Sequence, residues 1–208
     1  IKSNEAPVLW GVSFPCGLPA SAARHLAGAE ADWSAVLAWV ADRPADEIRN
    51  ALPEELRGGR LTDIGSAPLD NRNYKQTLEG LRWLHELREA HESIQVVPQL
   101  PAAPSASTLI EVSPSVSTID LGLPRRRAPG RPGEYRARAA ALRTFVAFAN
   151  PELECLAVTL EDAWDATLSC LTAWLVRDDL EQPQRIRNED ASALQMEGWI
   201  YRAPAALG

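Results

Sequence analysis

Two carboxylates on a predicted helix over 159–177 have the spacing that metal or phosphate chemistry requires. Asp162 and Asp165 lie three residues apart, so both would lie on one face of that helix. Carboxylates one turn apart can share a divalent cation or flank a phosphate. The alternative is that acids near a helix start only complement the helix dipole.

Glu111 is a second candidate because it interrupts the apolar strand predicted over 108–112. An ionised carboxylate in a central strand is costly unless it is paired or bound to a metal. The alternative is an edge strand that presents Glu111 on its solvated face. The sequence leaves both interpretations open.

Arginines are concentrated over 125–143, which contains seven of them and a single acid, Glu134. The formal net charge of the 208-residue chain is −7, so the remainder is strongly acidic. The total argues against coating nucleic acid by bulk charge, but a local basic stretch can position phosphates beside an acidic site. A solvated loop and helix face is one alternative, and an enzyme that grips a phosphate-bearing ligand with these arginines is another.

Alternating strand and helix patterns must position these residues, and they predict an α/β layer architecture in one domain over 1–208. The helix over 159–177 is expected to begin with a relaxed capping box at 159–162. Pro53 is expected to break the helix predicted over 45–57. The predicted strands cover 8–14 (buried), 94–97, 108–112, 155–158 and 198–201, and the predicted helices cover 32–42, 45–57, 74–91, 135–149 and 159–177.

Composition excludes several classes of protein. No apolar run approaches the ~18 residues that a membrane span needs. The three cysteines show neither a CxxC motif nor metal spacing, so we expect neither a disulfide framework nor a zinc site. A reducing compartment, the cytoplasm, is therefore the predicted location.

Four short segments together resemble the bacterial and archaeal family of predicted RNase-H-like nucleases, a domain of unknown function. The resemblance lies in their order and spacing over nearly the whole chain. The segments cover 10–19, 60–77, 110–124, and 161–166 followed by 197–200.

The resemblance implies a ribonuclease-H-like mixed sheet flanked by helices, whose carboxylates converge on one or two Mg²⁺ or Mn²⁺ ions. It implies phosphodiester cleavage of nucleic acid, in which the metals activate water and stabilise the leaving oxygen. By position, Glu111, Asp162 and Asp165 match the family's metal ligands and catalytic acids.

The resemblance also extends to candidate substrate contacts. Arg60 and Asp63 match the family's polar loop. The charge of the basic stretch, and not the resemblance, adds Arg125, Arg126 and Arg127 as expected phosphate contacts. Nucleic acid is the partner that these positions imply.

Two departures from the family pattern bear on activity. The aspartate of its first motif is replaced by Ser13, and a neutral hydroxyl is a poor Mg²⁺ ligand beside a carboxylate. The chain also begins at Ile1 without methionine, and we expect the family's first strands to be missing. A non-catalytic binding or regulatory module on the same fold is therefore the competing hypothesis.

Overall fold

The structure is a computed structural model that describes residues 6–63, 67–103, 105–124, 132–181 and 191–204. Within these residues the chain is mixed α/β, with nine α-helices and a small, open, mostly parallel sheet, so the predicted α/β class is confirmed. The helices are α1 (Ala20–Ala27), α2 (Trp33–Ala41), α3 (Ala45–Ala51), α4 (Tyr74–Ala90), α5 (Pro114–Asp120), α6 (Pro132–Leu142), α7 (Pro151–Thr159), α8 (Glu161–Val176) and α9 (Ala191–Glu197). The strands are β1 (Leu9–Val12), β2 (Gln95–Val97), β3 (Thr108–Val112) and β4 (Ile200–Tyr201).

The sheet is centred on β3, which lies between β1 and β2 and also pairs with β4. β2 runs parallel to β3, with Val96 opposite Leu109 and Val97 opposite Ile110. All five residues of β3 are buried, as the apolar run predicts. The alternative of an edge strand with a solvated Glu111 is therefore wrong.

The chain divides into two compact units. The first unit contains the described residues within 1–10, 14–111 and 179–200. The second contains those within 11–13, 112–178 and 201–208.

In the first unit, α2 packs against α4. The apolar residues of both helices recur at intervals of three and four, which places them on one face of each helix. Burial of that face stabilises the pair, since each large aliphatic side chain removed from water contributes roughly 1.5–3 kcal/mol. The buried residues of these faces are Trp33, Val36, Leu37, Val40, Leu78, Leu81 and Leu84.

In the second unit, α8 packs against α5 and α7. Its buried face carries Trp164, Leu168 and Leu171, as the helical spacing predicts. Near its carboxyl end, the Thr172 hydroxyl is 2.6 Å from the Ser117 hydroxyl of α5. The face of α8 that carries Asp162, Asp165, Ser169 and Thr172 is therefore exposed at its start and buried at its end.

Two predictions around 155–162 are wrong. The predicted strand over 155–158 belongs to α7, which begins at Pro151 because the Asn150 side chain accepts a hydrogen bond from the Leu153 amide. The capping box does not form either. The Thr159 hydroxyl donates to the carbonyl of Cys155, and α8 begins after Leu160 without a side-chain cap.

Two predicted elements are shorter than expected. The helix predicted over 135–149 ends at Leu142, before a β-branched and aromatic stretch of low helix propensity. The strand predicted over 8–14 as buried covers only Leu9–Val12, and Trp10 is 48% exposed.

Three helices were absent from the sequence prediction: α1, α5 and α9. Pro114 follows β3 closely and is the first residue of α5. The Ser113 side chain accepts a hydrogen bond from the Val116 amide and so caps that helix.

Candidate functional site

Glu111 lies on the central strand and has partners for both carboxylate oxygens. The Arg60 guanidinium donates from Nη1 to Oε2 at 2.7 Å and from Nη2 to Oε1 at 2.5 Å. The amide of Cys16 donates to Oε2 at 2.8 Å. Pairing with Arg60 is thus what makes this buried acid tolerable, as expected for a charge in an apolar strand.

Arg60 is itself buried and uses all of its N–H groups on protein acceptors. Besides its bonds to Glu111, it donates from Nε and Nη2 to Asp63 Oδ1, at 2.9 and 2.6 Å, and from Nη1 to the carbonyl of Glu197 at 2.9 Å. Burial by itself lowers the pKa of the guanidinium, but the Glu111 and Asp63 carboxylates raise the pKa of Arg60 above its usual value. A substrate contact by Arg60 would therefore have to break one of these bonds.

Asp63 holds the loop that presents Arg60. Its Oδ2 accepts a hydrogen bond from the Arg60 amide at 2.6 Å, while its Oδ1 accepts from the guanidinium. The structure therefore brings together Arg60, Asp63 and Glu111, which the resemblance had matched from separate segments.

Glu197 is a buried acid of the same cluster that the sequence analysis did not select. Its Oε1 accepts a hydrogen bond from the Ala20 amide at 2.8 Å, and its Oε2 accepts from the Leu61 amide at 2.7 Å. It therefore caps α1, whose N-cap residue Pro19 has no side-chain hydrogen bond. The available signal was its place in the 197–200 segment of the family resemblance.

Cys16 completes the group that we call the Arg60 cluster: Cys16, Arg60, Asp63, Glu111 and Glu197. Its carbonyl accepts hydrogen bonds from Trp33 Nε1 at 2.7 Å and Gln99 Nε2 at 3.1 Å. Burial, followed by the nearby Glu111 charge, raises the pKa of the Cys16 thiol well above its ordinary value. The thiol is therefore held neutral and away from solvent.

Gly198 allows the chain to pass close to this cluster. Its φ is +83°, and a Cβ at this position would lie 2.6 Å from Gln99 Nε2. Any other residue would be strained in backbone conformation and would displace the Gln99 amide.

The acids of α8 belong to the second unit. Asp162 is exposed. Asp165 is partly buried and lines a cavity of about 360 Å³ that we call the α8 cavity. The cavity is lined by Pro114, Ser115, Thr118, Ile119, Glu161, Trp164 and Asp165.

A buried arginine lies beside this cavity. The guanidinium of Arg138 is 4.6 Å from the centre of the Trp164 ring. Its Nη1 is 3.4 Å from Glu161 Oε1 and 3.4 Å from the carbonyl of Val158. Arg138 therefore fixes the position of one cavity carboxylate and partly balances its charge.

The oxygen groups of the α8 cavity suit a hard cation that retains part of its water shell. Glu161 and Asp165 line the cavity together with Ser115 and Thr118, and the Thr118 hydroxyl donates to the carbonyl of Pro114 at 2.8 Å. Mg²⁺ is usually held by one or two carboxylates together with water and substrate phosphates. Within the described ranges, however, no group of three or more His, Cys, Asp or Glu residues could hold a metal ion.

The remaining candidates are placed as follows. Ser13, which the resemblance places where an aspartate is expected, is exposed. Arg125, Arg126 and Arg127 lie outside the described residues. Glu111 belongs to the first unit, whereas Asp162 and Asp165 belong to the second.

The chain matches one known protein family over most of its length. A family described as a protein of unknown function, DUF429, matches residues 1–189. The chain belongs to the DUF429 family. All of the Arg60 cluster except Glu197 lies within the matched DUF429 region, as does the whole α8 cavity. No curated protein and no solved structure matches the chain.

None of the helices in the described part of this DUF429 member has the length and apolarity that a membrane crossing requires.

Proposed function

We propose that this DUF429 member has a ribonuclease-H-like fold and hydrolyses phosphodiester bonds of nucleic acid at the α8 cavity, with Mg²⁺ or Mn²⁺. The observation that carries the proposal is the meeting of Asp165 and Glu161 with the Ser115 and Thr118 hydroxyls in one cavity beside Arg138. The mixed α/β architecture and the order of the family-like segments support the same fold.

In this proposal Asp165 and Glu161 hold the hydrated cation. When bound, the metal would lower the pKa of a coordinated water and stabilise the leaving oxygen. Arg138 is a positioning residue, since its guanidinium contacts Glu161 and keeps that carboxylate from turning away. Asp162, one turn before Asp165 and exposed, is a further ligand candidate that the experiments below separate from the cavity pair.

We assign Glu111 a positioning role rather than a place among the metal ligands. Its oxygens already accept hydrogen bonds from Arg60 and the Cys16 amide, so metal ligation would have to displace the guanidinium. Losing that partner would leave uncompensated buried charge, which is strongly unfavourable. By the same argument, Arg60 and Asp63 hold the loop rather than the substrate.

Substrate binding is assigned to the basic stretch that begins with Arg125, Arg126 and Arg127. Phosphate contacts of this kind make the affinity for nucleic acid fall as the salt concentration rises. Replacing the three residues by glutamine should therefore weaken binding to a single-stranded oligonucleotide and reduce its salt dependence. An unchanged slope of affinity against salt would remove these residues from the proposal.

The test of catalysis is Mn²⁺-dependent cleavage of a labelled oligonucleotide by three proteins. The wild type should cleave it, and Asp165→Asn should lose at least tenfold in rate because it removes one cavity carboxylate. Glu152→Gln removes an exposed acid from the start of α7 and should match the wild type. Equal rates for the wild type and Asp165→Asn would refute the assignment of the cavity.

The second candidate function is a non-catalytic binding or regulatory module, and exposed Ser13 at the position of the family's aspartate favours it. The Ser13→Asp variant separates the two proposals by calorimetry with Mn²⁺. A gain in Mn²⁺ affinity would indicate a metal site that lacks one ligand. No gain, together with an inactive wild type, would favour the non-catalytic module.

A further inference from the structure

The second unit contains a second, apolar cavity besides the α8 cavity, and its lining does not suit a metal ion. It has a volume of about 550 Å³, and the chain after α6 and one face of α8 form its walls. Its lining is almost wholly apolar, and the residues that contribute to it are Phe145, Val146, Ala147, Ala166, Thr167, Cys170, Leu171 and Trp174. We call it the apolar groove.

The polar groups of the groove need no polar ligand. The Thr167 hydroxyl already donates to the carbonyl of Ala163 at 2.7 Å, within α8. The other lining side chains are aliphatic or aromatic apart from the Cys170 thiol, which behaves as a small apolar group. An occupant is therefore selected by burial of apolar surface and not by hydrogen bonding.

The charges near the groove in sequence are paired locally. Arg143, two residues before Phe145, contacts Glu154 at 2.7 Å. Arg177, three residues after Trp174, contacts Asp178 at 3.2 Å, and its guanidinium lies 3.9 Å from the centre of the Trp174 ring. Both pairs are locally neutral and no charged residue lines the groove, so charge complementarity favours a neutral ligand.

We propose that the apolar groove binds a small, neutral, predominantly apolar molecule. Its volume lies within the roughly 300–1,000 Å³ typical of small-molecule pockets, and such pockets are lined mainly by apolar and aromatic side chains. Trp174 is 62% exposed and Phe145 is 40% exposed, and a ligand in the groove would cover part of both. A concave surface of this size fits a compact molecule better than it fits the flat face of a partner protein.

Binding is tested with N-phenyl-1-naphthylamine, a neutral apolar fluorophore. The wild type should bind it saturably with one molecule per chain. Ala166→Phe and Cys170→Phe each place a ring in the groove at an exposed position of α8 and should weaken binding at least tenfold. Ala140→Phe adds the same ring at an exposed position of α6 outside the groove and should bind like the wild type.

The wild type supplies a second readout that needs no folded variant. Cys170 lines the groove, whereas Cys155 is exposed on α7 and does not. Saturating fluorophore should slow the reaction of Cys170 with 4,4′-dithiodipyridine at least tenfold and leave the rate at Cys155 unchanged, as followed by peptide mass spectrometry. Equal rates at Cys170 with and without fluorophore would overturn the proposal.

Two further outcomes would also overturn it. One is unaltered fluorophore binding by both phenylalanine variants. The other is a dimer, detected by sedimentation, that Ala166→Phe dissociates, because a second copy of the chain would then occupy the groove.

Discussion

In the first unit, the Arg60 guanidinium pairs with two acids and donates to the backbone carbonyl of a third. Arg60 contacts Glu111 and Asp63 directly, while Glu197 is satisfied by the backbone amides of Ala20 and Leu61. Buried carboxylates that accept several charge-assisted hydrogen bonds are tolerated, but only while every partner is present. The cluster therefore stabilises the fold as a unit, and removal of its cation should cost more than removal of a surface charge.

Arg60→Met is expected to lower the free energy of unfolding by about 3–5 kcal/mol, the usual effect of leaving a buried charge without its partner. Arg143→Met provides the control. Its side chain is 65% exposed in the pair with Glu154, and loss of a surface pair costs about 1 kcal/mol or less. Urea unfolding of both variants measures the difference. Equal losses would mean that the Arg60 cluster does not stabilise the fold as a unit.

Cys16 should make stability depend on alkaline pH. Burial and then the Glu111 charge raise the pKa of its thiol in the folded state, so the unfolded chain releases this proton at lower pH. The contribution is fully present below about pH 9, the ordinary pKa of the thiol, and is lost as the pH rises towards the folded value. The free energy of unfolding should therefore fall more steeply above pH 9 in the wild type than in Cys16→Ala. Parallel curves of unfolding free energy against pH for the two proteins would contradict a raised pKa of the Cys16 thiol.

At the residue scale, sequence reasoning selected Glu111 because an acid in an apolar strand demands a partner. It could not derive that partner from spacing, since Arg60 lies 51 residues away and only the fold brings the two together. The family resemblance supplied Arg60 and Asp63 as positions, without their contacts. Glu197 was missed because a single acid outside every predicted element looks like an ordinary surface residue.

At the scale of elements, periodicity predicted the long helices well and the short ones poorly. α4 and α8 have apolar faces several turns long, so their existence follows from sequence alone. The sequence predicts a strand over 155–158, within α7, because a short apolar run fits either structure. The cap by Asn150 and the proline at the first position decide in favour of helix.

A substitution at Gly80 tests how closely α4 packs against Phe14 in the first unit. A Cβ at this residue would lie 2.4 Å from the Phe14 ring, which also packs edge-on against Trp83 with ring centres 5.8 Å apart. Gly80→Ala should therefore lower stability by about 1–3 kcal/mol, the usual cost of overpacking, despite the better helix propensity of alanine. Thermal unfolding of the variant measures this effect.

Gly133→Ala is the matched control, because nothing lies within 4 Å of a Cβ added there on α6. It should leave stability unchanged or raise it slightly, since alanine favours a helix by up to about 1 kcal/mol. Adding Phe14→Ala to Gly80→Ala should abolish the overpacking term. A Gly80→Ala variant as stable as Gly133→Ala would show that α4 has room at this position.

At the scale of the whole molecule, the α/β class followed from alternating strand and helix patterns, whereas the division into two compact units did not. Each unit is built from separate stretches of chain, so no linker composition marks its boundary. Function was harder to predict, because an acid that binds metal and an acid that binds arginine look alike in sequence. Only the structure shows that Glu111 is buried and accepts hydrogen bonds from the Arg60 guanidinium.

The proposed metal site at the α8 cavity is tested most directly by Mn²⁺ binding, which is measured as the loss of the electron paramagnetic resonance signal of the free ion. We expect one Mn²⁺ per wild-type chain, an affinity at least tenfold weaker in Asp165→Asn, and wild-type affinity in Glu152→Gln. Asp162→Asn shows whether the exposed acid of α8 shares the ion with the cavity pair. Wild-type affinity in Asp165→Asn would contradict the proposed metal site, because the carboxylates of the α8 cavity would then not hold the metal.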